Sequence, residues 1–148
     1  MSIFRLLEIS GSALSAERQR AEVVAANMAN AETTRTPEGG PYRRKEVVFS
    51  STPQSSFRMM FARNGGNSFG QPSPTVRVSQ VVEDPTPPIM RYEPGNADAN
   101  AEGYVAYPNI NPVQEMADLM DAVRAYQLNA SAVTAAKQIV TGALDILK

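Results

Sequence analysis

The amino-acid sequence predicts an α+β fold, with long N- and C-terminal helices packed as a coiled coil and a small β-rich middle module projecting from them. All eleven prolines lie between Pro37 and Pro112. Both proline-free arms carry apolar residues at helical spacing, whereas the centre consists of short β-prone runs separated by glycine and proline. The best packing surfaces therefore lie at the two ends of the chain, which is typical of assembly rather than catalysis. We divide the chain into helix 1–32, module 33–111 and helix 112–148.

The first arm predicts a helix from about Ile3 to Asn30. Alternating spacings of four and three residues select eight positions, of which six are apolar. The charged residues Arg18, Arg20 and Glu22 lie off this seam. The predicted seam consists of Ile3, Leu7, Ser10, Leu14, Glu17, Ala21, Val24 and Met28.

The second arm predicts a longer helix, from Val113 to Leu147. Asn111 is a suitable N-cap, and Pro112 suits the first helical position. Its predicted seam is more apolar, with one charged interruption: Met116, Leu119, Val123, Tyr126, Ala130, Val133, Lys137, Val140, Leu144 and Leu147. A further apolar stripe lies off that seam: Leu128, Ala132, Ala135, Ile139 and Ile146. A helix with two apolar faces cannot cover both with one partner, so we expect burial against other copies or other subunits.

The middle of the chain predicts short strands joined by turns. The β-prone runs are 42–49, 57–62, 76–82, 89–92 and 104–107. Glycine, proline and asparagine cluster between them. We expect a small core made of Val47, Phe49, Val76, Val78, Val81, Ile89 and Tyr104.

Composition argues against several functional classes. The chain has no histidine and no cysteine, which removes the commonest general base, the thiol nucleophile and thiolate metal sites. A net charge of -1 gives no reason to expect nucleic acid. No run is long and apolar enough to span a bilayer, and the first residues lack the features of a cleaved secretory signal. We expect no catalytic residue, no metal, no cofactor and no small-molecule substrate.

Three polar motifs have simpler explanations than chemistry. The acidic residues Glu115, Asp118 and Asp121 lie in the first turns of a predicted helix, where they complement its dipole. Residues 98–103 match the opening of a calcium loop, but position twelve is Asn109 instead of glutamate, which favours a polar turn. The basic run 43–45 reads as a solvated strand face.

Several motifs resemble the bacterial flagellar basal-body rod, hook and related axial proteins. Residues 26–31 (Ala-Asn-Met-Ala-Asn-Ala), followed by 33–34 (Thr-Thr), resemble the motif that closes their N-terminal helix. The matching C-terminal motif comprises Glu115, Met116, Leu119, Met120, Arg124, Ala125, Tyr126 and Asn129. Residues 94–95, Asp98, 102–105 and 108–109 are similar to the segment that marks the proximal-rod members. Two departures are Asn96-Ala97, where a His-Pro pair is expected, and residues 52–72, which look like a variable insertion.

The resemblance implies a structural subunit of the proximal rod, part of the torque-transmitting drive shaft of the flagellar basal body. It implies export without a cleaved signal peptide, a periplasmic location, and assembly with other rod proteins and further copies of itself. The surrounding ring and export-gate proteins are further candidate partners. We expect the assembly contacts at Leu6, Leu14, Asn27, Asn30, Met116, Leu119, Val123, Arg124, Tyr126, Asn129, Ile139 and Leu144.

Three other functions remain as alternatives. The first is a secreted adaptor or rod component of a related type III export apparatus. The second is a peptidoglycan-acting enzyme, which the absence of a convincing nucleophile or carboxylate pair disfavours. The third is an amphipathic membrane binder, for which the arms carry too few lysines.

Overall fold

A computed structural model describes residues 3–51 and 74–146. Within them, one long helix comes first in the chain, four short strands follow, and a second long helix comes last, as the sequence predicts. The helices are α1 (Ile3–Ala29) and α2 (Pro112–Ile146). The strands are β1 (Lys45–Ser51), β2 (Val76–Glu83), β3 (Ile89–Tyr92) and β4 (Tyr104–Tyr107). The predicted α+β architecture is confirmed.

The two helices pack against each other in antiparallel orientation. Asn27, near the end of α1, contacts Glu115 in the first turn of α2, and further along the pair Arg20 lies 3.6 Å from Asp118. All eight positions of the predicted α1 seam are buried or half-buried. The three- and four-residue spacing therefore identified the face of α1 that packs.

The predicted seam of α2 is displaced by one residue from the observed one. Glu115, Ala122 and Ala136 are almost fully buried, and Asn129, at the same heptad position, is half-buried. Each of these four residues comes one position before a residue of the predicted seam. Three of the seam residues that follow them, Met116, Val123 and Lys137, are exposed. The small side chains allow the two backbones to approach closely. The sequence signal failed in part, because most of the large apolar residues of α2 lie off the packed face, while Leu119, Ala130 and Val133 of the predicted seam are half-buried.

The second helix extends beyond the first. It has 35 residues against 27, which leaves about 12 Å of α2 without a partner at 1.5 Å per residue. Because the pair is aligned at the start of α2, the unpaired part is its C-terminal end. Ile139, Val140, Leu144 and Ile146 lie there, between 39% and 86% exposed. The predicted seam residue Leu147 is outside the described residues.

Strands β1 and β2 form an antiparallel ribbon that lies along α1. Lys45 pairs with Glu83 and Ser51 with Val76, with an irregularity after Val48. The β1 end is fixed to α1 by Asn27, while the backbone N–H of Val76 donates to Ser12 Oγ at 3.2 Å.

The ribbon differs slightly from its prediction. Strand β1 begins at Lys45 instead of 42 because the Tyr42 N–H donates to the Thr33 carbonyl and not to the ladder. Strand β2 ends at Glu83, one residue later than predicted. The predicted strand at 57–62 and the insertion at 52–72 lie outside the described residues.

Strands β3 and β4 form a second antiparallel ribbon with the predicted bounds. The Tyr92 and Tyr104 rings meet edge to face, with centroids 5.3 Å apart. The loop between the strands closes at Gly103, whose φ is +82°. A Cβ there would lie 2.9 Å from the ring of Tyr92, so the position requires glycine.

The same loop explains the calcium-like pattern. Asn100 Oδ1 accepts hydrogen bonds from the N–H groups of Glu102 and Tyr104, at 2.9 Å each. Asp98 accepts from the Thr34 hydroxyl at 2.7 Å and lies near Arg35. The oxygens that suggested cation ligands are thus used in turn formation and in attaching the loop to the segment after α1.

The module does not have the single core that the sequence suggested. Val47 and Val78 are half-buried, but the other five predicted members are more than a third exposed: Phe49, Val76, Val81, Ile89 and Tyr104. Val105, fully buried, was missed, as was the buried Pro108. The prediction failed because the strands form two separate ribbons rather than one sheet with a common inner face.

Candidate assembly interface and polar junction

A buried polar cluster joins the two helices to the middle module. We call it the polar junction, and it consists of Asn27, Tyr42, Arg44, Glu115 and Asp118. Its side chains come from α1, the segment before β1 and the first turns of α2. It occupies the place where all three parts of the chain meet.

Asn27 is the centre of the polar junction. It is fully buried, and its amide makes four hydrogen bonds. Nδ2 donates to the Lys45 carbonyl at 2.8 Å and to Glu115 Oε2 at 3.0 Å. Oδ1 accepts from the Lys45 N–H at 2.9 Å and from the Tyr42 hydroxyl at 3.1 Å. An asparagine amide offers two donor hydrogens and two acceptor lone pairs, and here all four are used.

Glu115 is the buried charge of the polar junction, with 1% of its surface exposed. Its Oε1 accepts from Arg44 Nε at 2.6 Å, while Oε2 accepts from Asn27. A buried carboxylate with one charged and one neutral donor is compensated on both oxygens. Glu115 lies in the first turn of α2, where the helix dipole also favours a negative charge.

Arg44 connects Glu115 to less buried acids. Its guanidinium also contacts Glu46, and its third nitrogen lies 3.7 Å from Asp118 Oδ2. Burial alone would lower the pKa of Arg44, but its hydrogen bonds and charge interactions with Glu115 and Glu46 outweigh this and raise it. The guanidinium therefore stays charged whenever the chain is folded.

Tyr42 closes one side of the polar junction. Burial raises the pKa of its phenol, and the nearby negative charges of Glu115 and Glu83 raise it further. The neutral form is the one needed, because the hydroxyl donates to Asn27.

Two motifs that we assigned to the surface contribute to the polar junction. The acidic residues at the start of α2 were expected only to complement the helix dipole, but Glu115 is a buried ion-pair partner of Arg44. Arg44 was expected on a solvated strand face, yet only 20% of its side chain is exposed. Arg43, beside it, is exposed as expected. No local pattern distinguishes the two arginines, because the difference arises from a carboxylate 71 positions away.

Local hydrogen bonds fix the helix ends next to the polar junction. Asn111 Oδ1 accepts from the Val113 N–H at 3.1 Å, which confirms the predicted N-cap of α2. At the other helix, Asn30 Nδ2 donates to the Ala26 carbonyl at 2.9 Å and its Oδ1 accepts from Thr33. These contacts fix the end of α1 with the turn that follows it, and the start of α2, each within its own segment.

Beyond the polar junction, α2 carries an extensive apolar surface that no part of the described chain covers. Ten of its large apolar side chains are between 39% and 86% exposed. We call them the outer apolar surface: Val113, Met116, Met120, Val123, Tyr126, Leu128, Ile139, Val140, Leu144 and Ile146. Most large apolar side chains of α2 thus face outward, while Ala122 and Ala136 are buried. A large exposed apolar area is typical of a protein–protein contact.

The predicted contact residues fall into three groups. Six are exposed on α2: Met116, Val123, Arg124, Tyr126, Ile139 and Leu144. Five are half-buried: Leu6, Leu14, Asn30, Leu119 and Asn129. Asn27 lies inside the polar junction. Six thus lie exposed along one helix, and a role for any of the twelve in assembly stays a prediction.

Sequence reasoning missed Val113 and Met120, which extend the exposed group. Both lie three or four residues from Met116, so the spacing of large apolar residues alone would have found them.

Neither helix of the described residues is long and apolar enough to cross a membrane. Within residues 3–51 and 74–146, no cluster of three potential metal-ligating side chains occurs.

Comparison with known proteins identifies the class of protein that combines such a helix pair with a β-containing middle. Residues 7–35 match the family described as flagella basal body rod protein, and residues 101–145 match the flagellar basal body rod FlgEFG protein C-terminal family. The two matches fall on α1 with the turn after it, and on β4 with α2. The chain belongs to the flagellar basal-body rod protein family.

Full-length relatives narrow the comparison to one member of that family, the flagellar basal-body rod protein FlgC. The chain is 40% identical to FlgC of Bacillus subtilis over 152 aligned positions that cover all of both chains. It is 38% identical to FlgC of Yersinia enterocolitica, covering 99% of this chain and 98% of the relative. The identity to FlgC of Borreliella burgdorferi is 34%, covering 100% of this chain and 99% of the relative.

Proposed function

We propose that this chain is a structural subunit of the proximal rod of the bacterial flagellar basal body, without catalytic activity. One structural observation supports this beyond the full-length relatives. Ten large apolar side chains of α2 stay exposed after it packs on α1, which leaves them available to further helices. A monomeric enzyme or adaptor would be expected to bury those side chains within its own core.

The energetics of the outer apolar surface fit assembly. Burying a large apolar side chain fully contributes about 1.5–3 kcal/mol, so completing the burial of a half-exposed one contributes about 1 kcal/mol. Ten such side chains give about 10 kcal/mol per subunit before the costs of association. This is comparable to the whole stability of a small domain, so subunit contacts would contribute as much as folding does.

The proposed partners are further copies of this chain and other rod proteins, joined through α1 and α2. Contact with the surrounding ring and export-gate proteins would fall to the β-containing module, because most residues of its strands β1, β2 and β3 are exposed. We also propose that the chain reaches the periplasmic rod through the flagellum-specific export route without signal cleavage. An adaptor in a related export apparatus is less well supported, since the relatives above are named as flagellar rod proteins.

The first experiment is a protein inventory of purified basal bodies from the parent strain and from a strain deleted for this gene. We expect the chain in parental basal bodies and no rod in the deletion strain. Normal basal bodies in the deletion strain would contradict the proposal.

A point variant then tests the outer apolar surface. Val123→Asp places a charge on a side chain that is 43% exposed, so it should leave the chain folded but prevent close contact with another helix. We expect normal expression and loss of swimming. Gln138→Asp is the matched control, because Gln138 is an exposed polar residue of the same helix and should tolerate the charge. Normal swimming of the Val123 variant would contradict burial of this surface in the rod.

A further inference from the structure

The ribbon of β1 and β2 lies over a stripe of α1 on the side away from α2. The Val76 N–H donates to Ser12 Oγ at one end of this stripe. Asn27 bonds to the backbone of Lys45 at the other end. Ala16 is four residues from Ser12 and therefore on the same stripe, and only 3% of it is exposed. It lies about half a helical turn from the seam with α2, which places it under the ribbon.

The two ends of the ribbon are held unequally. At the base, the N–H and C=O groups of Lys45 both bond to the fully buried amide of Asn27, at 2.9 Å and 2.8 Å. At the far end, the contact with α1 is an exposed hydrogen bond of 3.2 Å from Val76 to Ser12. Water competes for an exposed neutral hydrogen bond, so the far end is the weaker attachment.

Apolar packing holds the ribbon only weakly. Neither β1 nor β2 contains a buried residue, and Phe49 and Val81 are 37% and 48% exposed. A cleft of about 210 Å³ is lined by Val47 of β1 together with Val23 and Val24 of α1. These side chains therefore leave part of the space between ribbon and helix unfilled. Segments with few buried apolar contacts open at a lower free energy than the rest of a fold.

We propose that the ribbon is a strap, which swings away from α1 about the polar junction while the helix pair stays folded. The polar junction is the hinge because it fixes the start of β1, whereas the far end has only weak contacts to lose. Opening uncovers the stripe with Ser12, Ala16 and Val23. The closed strap blocks this stripe to other chains, so its contact with α1 is autoinhibitory. Because opening is a property of the single folded chain, it does not rest on the proposed role in a rod.

Thiol reactivity measures the opening. The sequence has no cysteine, so Ala16→Cys introduces the only thiol, beneath the strap. Ala122→Cys is the matched control, because Ala122 is a fully buried alanine of α2. Each full-length variant reacts with methyl methanethiosulfonate in trimethylamine N-oxide, which favours the folded state. Mass spectrometry follows the modification, and each rate is divided by the rate of the same variant unfolded in urea.

We expect Ala16→Cys to react about ten-fold faster than Ala122→Cys, or more, at a rate that low urea concentrations leave unchanged. Local opening exposes little surface, whereas the control thiol becomes accessible only when the helix pair unfolds. Adding Ser12→Ala removes the far-end hydrogen bond and should raise the Ala16→Cys rate about two- to five-fold. Adding Asn111→Ala removes the N-cap of α2. It should raise the Ala122→Cys rate about five-fold and leave the Ala16→Cys rate unchanged.

Amide hydrogen exchange of the chain without substitutions tests the hinge. The Lys45 N–H, bonded to Asn27, should exchange far more slowly than the Val76 N–H at the far end. This measurement needs no thiol, so it tests the proposal even if a cysteine variant loses its helical circular dichroism.

Three outcomes would overturn the proposal. The first is equal rates and equal urea dependence for the two thiols, because the ribbon would then leave α1 only on complete unfolding. The second is a faster reaction of Ala16→Cys with Asn111→Ala added, because opening would then require loss of the helix pair. The third is exchange of the Lys45 N–H as fast as that of Val76, because the base would then not be the hinge.

Discussion

Replacing Asn27 with alanine removes the centre of the polar junction. The truncation takes away four hydrogen bonds and leaves four former partners: the N–H and C=O of Lys45, Glu115 Oε2 and the Tyr42 hydroxyl. The junction is buried, so water cannot readily replace the lost amide.

The expected loss follows from those partners. A buried polar group left without a partner costs about 1–3 kcal/mol. Tyr42 is half-buried and can turn towards water, and Glu115 keeps its bond from Arg44. The two backbone groups of Lys45 and the freed carboxylate oxygen should therefore dominate, giving a decrease of about 3–5 kcal/mol in the free energy of unfolding. That is a large fraction of the 5–15 kcal/mol typical of a domain.

Equilibrium urea unfolding of the full-length chain, followed by circular dichroism at 222 nm, measures this change. Asn30→Ala is a matched control three residues away. Asn30 is half-buried, and its two side-chain bonds are local to the end of α1, so we expect a loss of about 1 kcal/mol. If Asn27→Ala costs no more than Asn30→Ala, the argument that the buried amide joins the helices to the module is wrong.

Three further substitutions test other parts of the fold. Gly103→Ala should lower the melting temperature, because φ is +82° and an added Cβ meets a tyrosine ring, whereas Gly11→Ala, in open space on α1, should raise it. Asn111→Ala should cost about 1 kcal/mol in urea unfolding through loss of the α2 N-cap, and an unchanged value would refute the capping role. Because the pKa of Tyr42 is raised on folding, its contribution to stability is complete below its unfolded pKa near 10 and is lost at higher pH. The free energy of unfolding of Tyr42→Phe should therefore fall less than that of the parent chain between neutral pH and pH 11. The pKa of Tyr107 is also raised, so ionisation of Tyr107 lowers the stability of both chains at high pH.

Elements whose signal is local could be predicted from the sequence. Helix α1 begins at the predicted residue, and strands β3 and β4 have the predicted bounds. The helix and strand boundaries depend on a few neighbouring residues, such as the prolines and the N-cap Asn111. The cap bond in the folded chain is likewise local, since Asn111 accepts from Val113. The resemblance to rod proteins also rested on contiguous motifs, and full-length relatives now support it.

The polar junction could not be predicted in the same way. Glu115 and Arg44 are 71 positions apart, and each looks like an ordinary surface charge in its own segment. The half-buried state of Val47 and the exposure of Val81, its cross-strand partner, depend on how the ribbon lies on α1 and not on strand alternation. Long-range packing decides these positions, and one sequence carries no direct record of it.

The misassigned seam of α2 has a physical cause that bears on function. Hydrophobic periodicity reports the face with the largest apolar side chains, and for most helices that face packs within the same chain. Here it is occupied by residues such as Met116, Val123 and Leu144, which are exposed, while Ala122 and Ala136 pack against α1. The α1 side of the pair contributes large apolar residues such as Leu14 and Val24, and the polar junction adds specific contacts at one end of the pair. The large exposed side chains of α2 are then available for the contacts between subunits that we propose.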